Sequence, residues 1–252
     1  MKKIITLMMV CFNRLPLTIK TMNGLLKSNK LPCNLVIVDN GSTDGTVEYL
    51  NGLQDSSEFK DSNYKIKLIL LPENKGIARG RNIALKEADE LKTDYYCTID
   101  NDVEMPDGWL EECINILDKN KGYGAIGVNF ESTKYPLITK NGNTFQDKPA
   151  GNLGTANMTF RKQLHQMLGF FSTEYNRFYG VEDSDFGMRA RAAGLKLGYI
   201  EKMGIHLGED GGENSEYRRF KTKQHDEMVD VFKKNCALYM NRKKPLYIPF
   251  KE

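Results

Sequence analysis

Four short clusters in this sequence carry side chains able to do chemistry. Asp100-Asn101-Asp102 places two carboxylates two residues apart, and both can reach one hard cation if the chain turns there. Such a cation would neutralise the charge that grows on departing phosphates. Asp39-Asn40-Gly41-Ser42-Thr43-Asp44-Gly45-Thr46 offers a carboxylate able to accept from a base N–H, with glycines that let the backbone approach a ligand. Asp44 in that run suits the cap of a helix starting near Thr46. Glu182-Asp183-Ser184-Asp185-Phe186 crowds three acids into four residues, more than a helix N-terminus needs, and one of them could take a proton from a hydroxyl. His206 stands in Gly204-Ile205-His206-Leu207-Gly208, and imidazole is a common ligand for divalent metals. Taken singly, each cluster has a plainer reading as a turn, a cap or a structural histidine. His165 and His225 sit in helical, polar surroundings and are assigned no role.

The elements that must position these groups can be read from periodicity. Residues 4–10 form a continuous apolar run, as in a strand covered on both faces. Pro16 opens a helix through about residue 28, with Leu17, Leu25 and Leu26 as its apolar positions. Strands follow at 35–38, at 66–71 and at 95–99, with helices at 46–53 and 76–91 between them. The second of these helices lines up Ile83, Ala84, Ala88 and Leu91. Four alternations of strand and helix predict a parallel sheet with helices on both faces. Such sheets bind ligands at the carboxyl ends of their strands. The polar segments 11–14, 39–44, 72–81 and 100–102 all follow strand ends, so four strands deliver them to one edge. Farther on, the pattern predicts a helix at 109–120, a strand at 123–130, a long loop or hairpin at 131–152 and a strand at 154–160. A helix at 183–193, a strand at 195–200 and an amphipathic helix at 215–239 complete it. The expectation is one mixed α/β domain with a C-terminal helical appendage.

Composition sets the bounds. The chain has 252 residues, 40% of them hydrophobic, enough for a real core. Its 36 basic and 33 acidic residues give a net charge of +3, which points to no class of partner. Basic residues gather late, at Arg218, Arg219, Lys221, Lys223, Lys233, Lys234 and 242–244, a pattern usual for a solvated face. Five scattered cysteines, Cys11, Cys33, Cys97, Cys113 and Cys236, show no metal-knuckle spacing and read as reduced thiols in the cytoplasm. The first apolar run lacks a cleavage site and is taken as a buried strand, not a leader. No stretch reaches the ~18 apolar residues of a membrane span.

Together these segments resemble glycosyltransferase family 2 and its relatives with the nucleotide-sugar-binding α/β fold called GT-A. The resemblance covers residues 3–207. It rests on Val36-Ile-Val-Asp-Asn-Gly-Ser-Thr-Asp-Gly-Thr46, Asn74-Lys-Gly-Ile-Ala-Arg-Gly-Arg-Asn82, Asp100-Asn-Asp102 and Glu182-Asp-Ser-Asp-Phe-Gly-Met-Arg189, in the family's order. It implies a Rossmann-like catalytic domain over 1–207, with a nucleotide-binding half at 1–103 and an acceptor half at 104–207, followed by a helix and tail at 208–252. It further implies that Phe12 stacks on the base and that Asp39 hydrogen-bonds it. The 74–81 loop, with Asn74, Gly76 and a charged contact from Arg79, would line the nucleotide pocket. Asp100 and Asn101 would stand on the ribose or sugar side, and Gly154, Thr155 and Asn157 beside the donor sugar. Asp102 and His206 would hold Mn2+ or Mg2+, the histidine favouring manganese. Asp183 would be the catalytic base, with Glu182 helping to hold the acceptor, and this placement implies inversion at the anomeric carbon. The middle position of the acid triplet is Asn101 here, a departure from the family pattern.

The function expected is transfer of a sugar from a nucleoside-diphosphate donor, UDP before GDP or dTDP, to an acceptor hydroxyl. A surface glycan or lipid-linked sugar leads among acceptors, ahead of a protein or a modified nucleic-acid base. Two other readings compete. A sugar nucleotidyltransferase would carry a Gly-rich, basic loop after the first strand, which Cys11-Phe-Asn-Arg-Leu-Pro16 is not. A non-catalytic nucleotide-sugar-binding protein would not require Asp183.

Overall fold

In the computed structural model, residues 3–131, 133–151, 153–154, 156–175, 180–208 and 216–251 are described. The first half alternates as its periodicity predicts: β1 (Ile5–Cys11), α1 (Leu15–Ser28), β2 (Cys33–Asp39), α2 (Thr46–Asp55), a single turn α3 (Ser57–Lys60), β3 (Tyr64–Leu70), α4 (Ile77–Glu90) and β4 (Tyr95–Asp100). The second half comprises β5 (Val103–Glu104), α5 (Trp109–Lys119), β6 (Tyr123–Asn129), β7 (Leu137–Lys140), β8 (Asn143–Lys148), β9 (Asn157–Arg161), α6 (Lys162–Leu168), α7 (Glu182–Ala192), β10 (Lys196–Met203), β11 (Ile205–His206) and α8 (Glu216–Met240).

Nine strands form one sheet in the order β3-β2-β1-β4-β9-β6-β10-β8-β7. The first four are mutually parallel, β9 runs against both β4 and β6, and β10 runs with β6. The period-2 alternation of the strands splits the core into two layers. Leu7, Met9, Leu35 and Ile37 face α1, α2 and α5, packing with Met22, Leu50, Trp109 and Cys113. Met8, Val36 and Val38 face the other way, onto Ala84, Leu85 and Ala88 of α4 and Leu164 and Phe186 of α6 and α7. The segment 131–152 resolves in part into the β7–β8 hairpin, and α6 directly follows β9.

The chain runs from β1 outward through β2 and β3, then returns to place β4 on the other side of β1. Strand order therefore reverses between β1 and β4. The loops after these two strands part there and leave a crevice at the carboxyl edge. A two-stranded ribbon, β5 against β11, sits beside that edge and pairs His206 with Val103.

The appendage does not stand apart. Residue 248 straps the turn after α6, with Phe170 N–H donating to the Ile248 carbonyl at 2.9 Å and Ile248 N–H to that of Leu168 at 2.9 Å. Gly169 permits this contact: its φ is +66°, and a Cβ there would collide with the Ile248 carbonyl.

Candidate active site

Two successive non-glycine residues after β1, Asn13 and Arg14, adopt positive φ of 55° and 66°. Such backbone persists only when its surroundings over-determine it. Here Asn13 N–H donates to Ser42 Oγ at 2.7 Å, and Thr43 N–H donates to Asn13 Oδ1 at 2.8 Å, which stitches the β1 loop to the β2 loop. Asp44 joins the same two loops. Its carboxylate accepts from Leu15 N–H at 2.9 Å and from Thr46 N–H and Oγ1 at 3.1 and 2.6 Å, holding the first turns of α1 and α2. Burial works against that carboxylate, but the Thr46 and Leu15 hydrogen bonds outweigh it and keep its pKa low.

Asp102 is 5% exposed at the end of the β4 turn. Arg14 Nη1 donates to its Oδ2 at 2.7 Å, and His206 Nε2 lies 3.6 Å from its Oδ1. The β5–β11 ribbon thus brings together two groups about a hundred residues apart in sequence. Both glycines flanking the histidine have steric reasons. A Cβ on Gly204 would strike the Phe130 ring, and one on Gly208 would come within 2.8 Å of Asp102 Oδ2.

Across the crevice, Arg81 of α4 is buried between two carboxylates. Its Nη2 donates to Asp100 Oδ1 at 2.9 Å and its Nη1 to Glu182 Oε1. The second oxygen of Glu182 is buried and has no hydrogen-bond partner among the described residues. Burial pushes the Glu182 carboxyl up to about 7; Arg81 pulls it back, while Asp183 and Asp100 add to the rise. Asp183, next along α7 and half-buried, accepts from Ser184 N–H and, at 3.2 Å, from Ser184 Oγ. Three carboxylates therefore converge on one guanidinium.

The structure brings together Asp100, Asp102, His206, Glu182 and Asp183 as the sequence suggests, but it gives several expected ligand contacts other work. Asp39 is fully buried, and its oxygens accept from Gly41 N–H, Ser42 N–H and Ser42 Oγ at 3.1, 2.9 and 2.6 Å, so it shapes its own loop. Asn74 Oδ1 accepts from Asn40 Nδ2 at 3.0 Å and Gly76 N–H at 2.8 Å, fixing the loop that enters α4 at Gly76. Asn101 turns toward α1, donating to Thr18 Oγ1 at 2.8 Å. Asn157 is 1% exposed within the sheet, donating to the Thr98 carbonyl and accepting from Val128 N–H where β9 bridges β4 and β6, so its amide is satisfied inside the sheet. Arg79 is exposed and lines a groove with Lys75, Ile83 and Phe250 on the outer side of α4, away from Arg81. Phe12 is 38% exposed at the rim. Gly154 is described; Thr155 lies outside the described residues. The charged contact expected of Arg79 belongs in the structure to Arg81, the buried cation between Asp100 and Glu182.

Residues 6–183 match the family model of glycosyl transferase family 2. The chain belongs to that family. Over 199 residues this family 2 chain is 29% identical to UDP-N-acetylglucosamine–dolichyl-phosphate N-acetylglucosaminyltransferase of Methanococcus voltae, spanning 75% of this chain and 69% of that protein. Over 86 residues it is 33% identical to an uncharacterized glycosyltransferase of Haemophilus influenzae, covering 34% of this chain and only 31% of that protein. Among solved structures it superposes on a mannosyltransferase from Pyrobaculum calidifontis in complex with GDP-Man and Mn2+, with a TM-score of 0.66 and 16% identity. That match covers 91% of this chain and 64% of the other. It also superposes on S. aureus TarS in complex with UDP, with a TM-score of 0.60 and 17% identity over 94% of this chain and 71% of the other. These likenesses establish the GT-A fold. No helix among the described residues is long and apolar enough to cross a membrane, and the five cysteines are free thiols.

Proposed function

We propose that this chain is an inverting, metal-dependent glycosyltransferase that moves a sugar from a UDP-linked donor to an acceptor hydroxyl. The observation that carries the reading is the meeting of Asp100, Asp102 and His206 with Glu182 and Asp183 around the crevice where strand order reverses. A non-catalytic binder or a nucleotidyltransferase would need no carboxylate pair facing the nucleotide end from a separate helix.

The donor set fits a divalent cation. Asp102 and His206 supply one carboxylate oxygen and one imidazole nitrogen 3.6 Å apart, a mixed set suited to Mn2+. The described residues offer no group of three such ligands, so diphosphate oxygens and water would complete the shell. When bound, the ion would neutralise charge on the departing diphosphate. The chain's own groups do the rest. Arg14 orients Asp102 by donating to its Oδ2. The loops after β1 and β2, with Phe12 at the rim and Asp39 shaping the turn, would receive the base. Asp183 would take the proton from the acceptor hydroxyl as it attacks, with Glu182 holding that hydroxyl in place. A surface glycan or lipid-linked sugar is the acceptor we favour, with a protein or modified nucleic-acid base behind it, and the free thiols agree with a cytoplasmic site of action.

Replacing Asp183 by Asn tests the assignment. The variant should bind UDP with Mn2+ as the wild type does while losing transfer by about 100-fold or more, the scale of general-base catalysis. Undiminished transfer would remove Asp183 from the role of base.

A further inference from the structure

Helix α4 is tied to both halves of the crevice. At its start, Asn40 and Asn74 bind it to the β2 loop, and Gly80 packs directly on Val10 of β1. Farther along, Asn82 Nδ2 donates to the Phe171 carbonyl at 2.9 Å and Asn82 Oδ1 accepts from Phe171 N–H at 2.8 Å, fixing the segment that leads toward α7. Between these anchors stands Arg81, whose two terminal nitrogens divide between Asp100 on β4 and Glu182 on α7. The three groups are unequally placed. Arg81 and Glu182 are almost wholly shielded, whereas the Asp100 side chain is 33% exposed and open to the crevice. Glu182 also keeps one buried oxygen without a partner among the described residues.

We propose that Arg81 is a positioning residue that couples occupancy of the donor side, at Asp100, to the placement of Glu182 and Asp183 on the acceptor side. The inference rests on the nucleotide-sugar reading above and deepens it. One guanidinium cannot be drawn toward one carboxylate without loosening its hold on the other, because its fork is planar and rigid. A ligand that engages Asp100 would leave Arg81 to Glu182, pulling the start of α7 toward the crevice. A change at Glu182 must in turn be felt by a ligand at Asp100, since coupling between two binding events is reciprocal. With Glu182 neutralised, Arg81 loses its alternative partner and is left to Asp100, so a ligand that must engage Asp100 is held less tightly.

The test needs no acceptor. UDP is titrated calorimetrically in the presence of Mn2+ at about pH 8 into wild type, Glu182→Gln, Arg81→Lys, Arg81→Gln and the variant combining Arg81→Lys with Glu182→Gln. Glu182→Gln should bind UDP about fivefold more weakly, at the low end of typical couplings. In the Arg81→Lys background the same change should have less than about a twofold effect, because an ammonium lacks the fork that spans both carboxylates. Arg81→Lys keeps the buried charge, so the cycle stands even where Arg81→Gln folds poorly. Wild type that binds UDP while Glu182→Gln binds it equally well overturns the coupling and leaves the donor site intact. An effect of Glu182→Gln that persists undiminished in the Arg81→Lys background removes Arg81 from the coupling. Wild type that fails to bind UDP overturns both the coupling and the reading it rests on.

Discussion

Helix α7 bears two buried acids within one turn of each other, each paired with an arginine, and the two pairs are built for opposite ends. Asp185 and Arg189 form a closed set. Both are 0% exposed; Arg189 Nε donates to Asp185 Oδ2 at 2.7 Å, and its remaining nitrogens donate to the carbonyls of Leu168, Leu246 and Phe170. The other Asp185 oxygen accepts from the hydroxyls of Tyr175 and Tyr239 at 3.1 and 2.8 Å. One positive charge meets one negative, and the set locks α6, α7, α8 and the tail together. The Arg81 set is open. One positive charge meets Asp100 and Glu182, with Asp183 close by; one carboxylate faces the crevice and one oxygen of another is unpartnered among the described residues. A finished network stabilises, whereas an unfinished one waits for a ligand.

Perturbations should separate the two. Arg189→Met leaves Asp185 buried without its cation, and removing one partner of such a pair costs about 3–5 kcal/mol. At roughly 2–4 °C per kcal/mol for a chain of this size, thermal unfolding should fall by on the order of 10 °C. A shift of a degree or two would mean that the closed set is not what holds the C-terminal helix. Arg81→Gln should cost less than half as much by the same measurement. Asp100 is partly solvated, and Glu182 can relieve its own burial by taking a proton. Equal losses for the two arginines would erase the distinction drawn between them.

Glu182 gives the open set a signature in pH. Its carboxyl rises from an ordinary 4.5 to about 7 on folding. The folded chain therefore holds that proton more tightly than the unfolded one. The stability this contributes is complete below about 4.5 and is lost as pH climbs through about 7. The melting temperature of the wild type minus that of Glu182→Gln should accordingly fall between those limits, and a flat difference would show Glu182 titrating normally. Smallest is Tyr239→Phe, which deprives the closed set of a single donor. A loss of about 1 kcal/mol in urea unfolding is expected, with UDP binding unchanged. An altered affinity for UDP would show that the closed set also reaches the crevice.

The same contrast explains what could be read from the residues alone. Alternation of apolar runs with helical patterns laid out the sheet through β4 and the edge where its polar loops gather, because burial on both faces leaves a strong periodic trace. The acids at 182, 183 and 185 stand out because three in four residues exceed the needs of a cap, whereas Asp100 and Asp102 alone read as a turn and gain weight only from the order of the four motifs. Arg81 also leaves a trace in the sequence. It lies three residues before Ala84 and seven before Ala88, on the helix face that turns inward, and a cation on such a face implies a buried partner. Arg79, two residues earlier and ~200° around the helix, had to point outward. The amides of Asn74, Asn101 and Asn157 were not resolvable in this way. An amide can serve a ligand or its own backbone with the same two groups, and only the fold decides which. His206 depends on a ribbon of two-residue strands too short to leave any period.

The most direct test of the account is thermal unfolding with UDP, GDP and dTDP, each with Mn2+ and again with EDTA, on wild type and on Asp102→Asn. A ligand at about a hundred times its dissociation constant adds about 2.7 kcal/mol, which is several degrees here. Wild type should show such a rise with UDP, abolished by EDTA and absent in Asp102→Asn. No rise with any nucleotide, or a rise indifferent to both EDTA and Asp102, would contradict it.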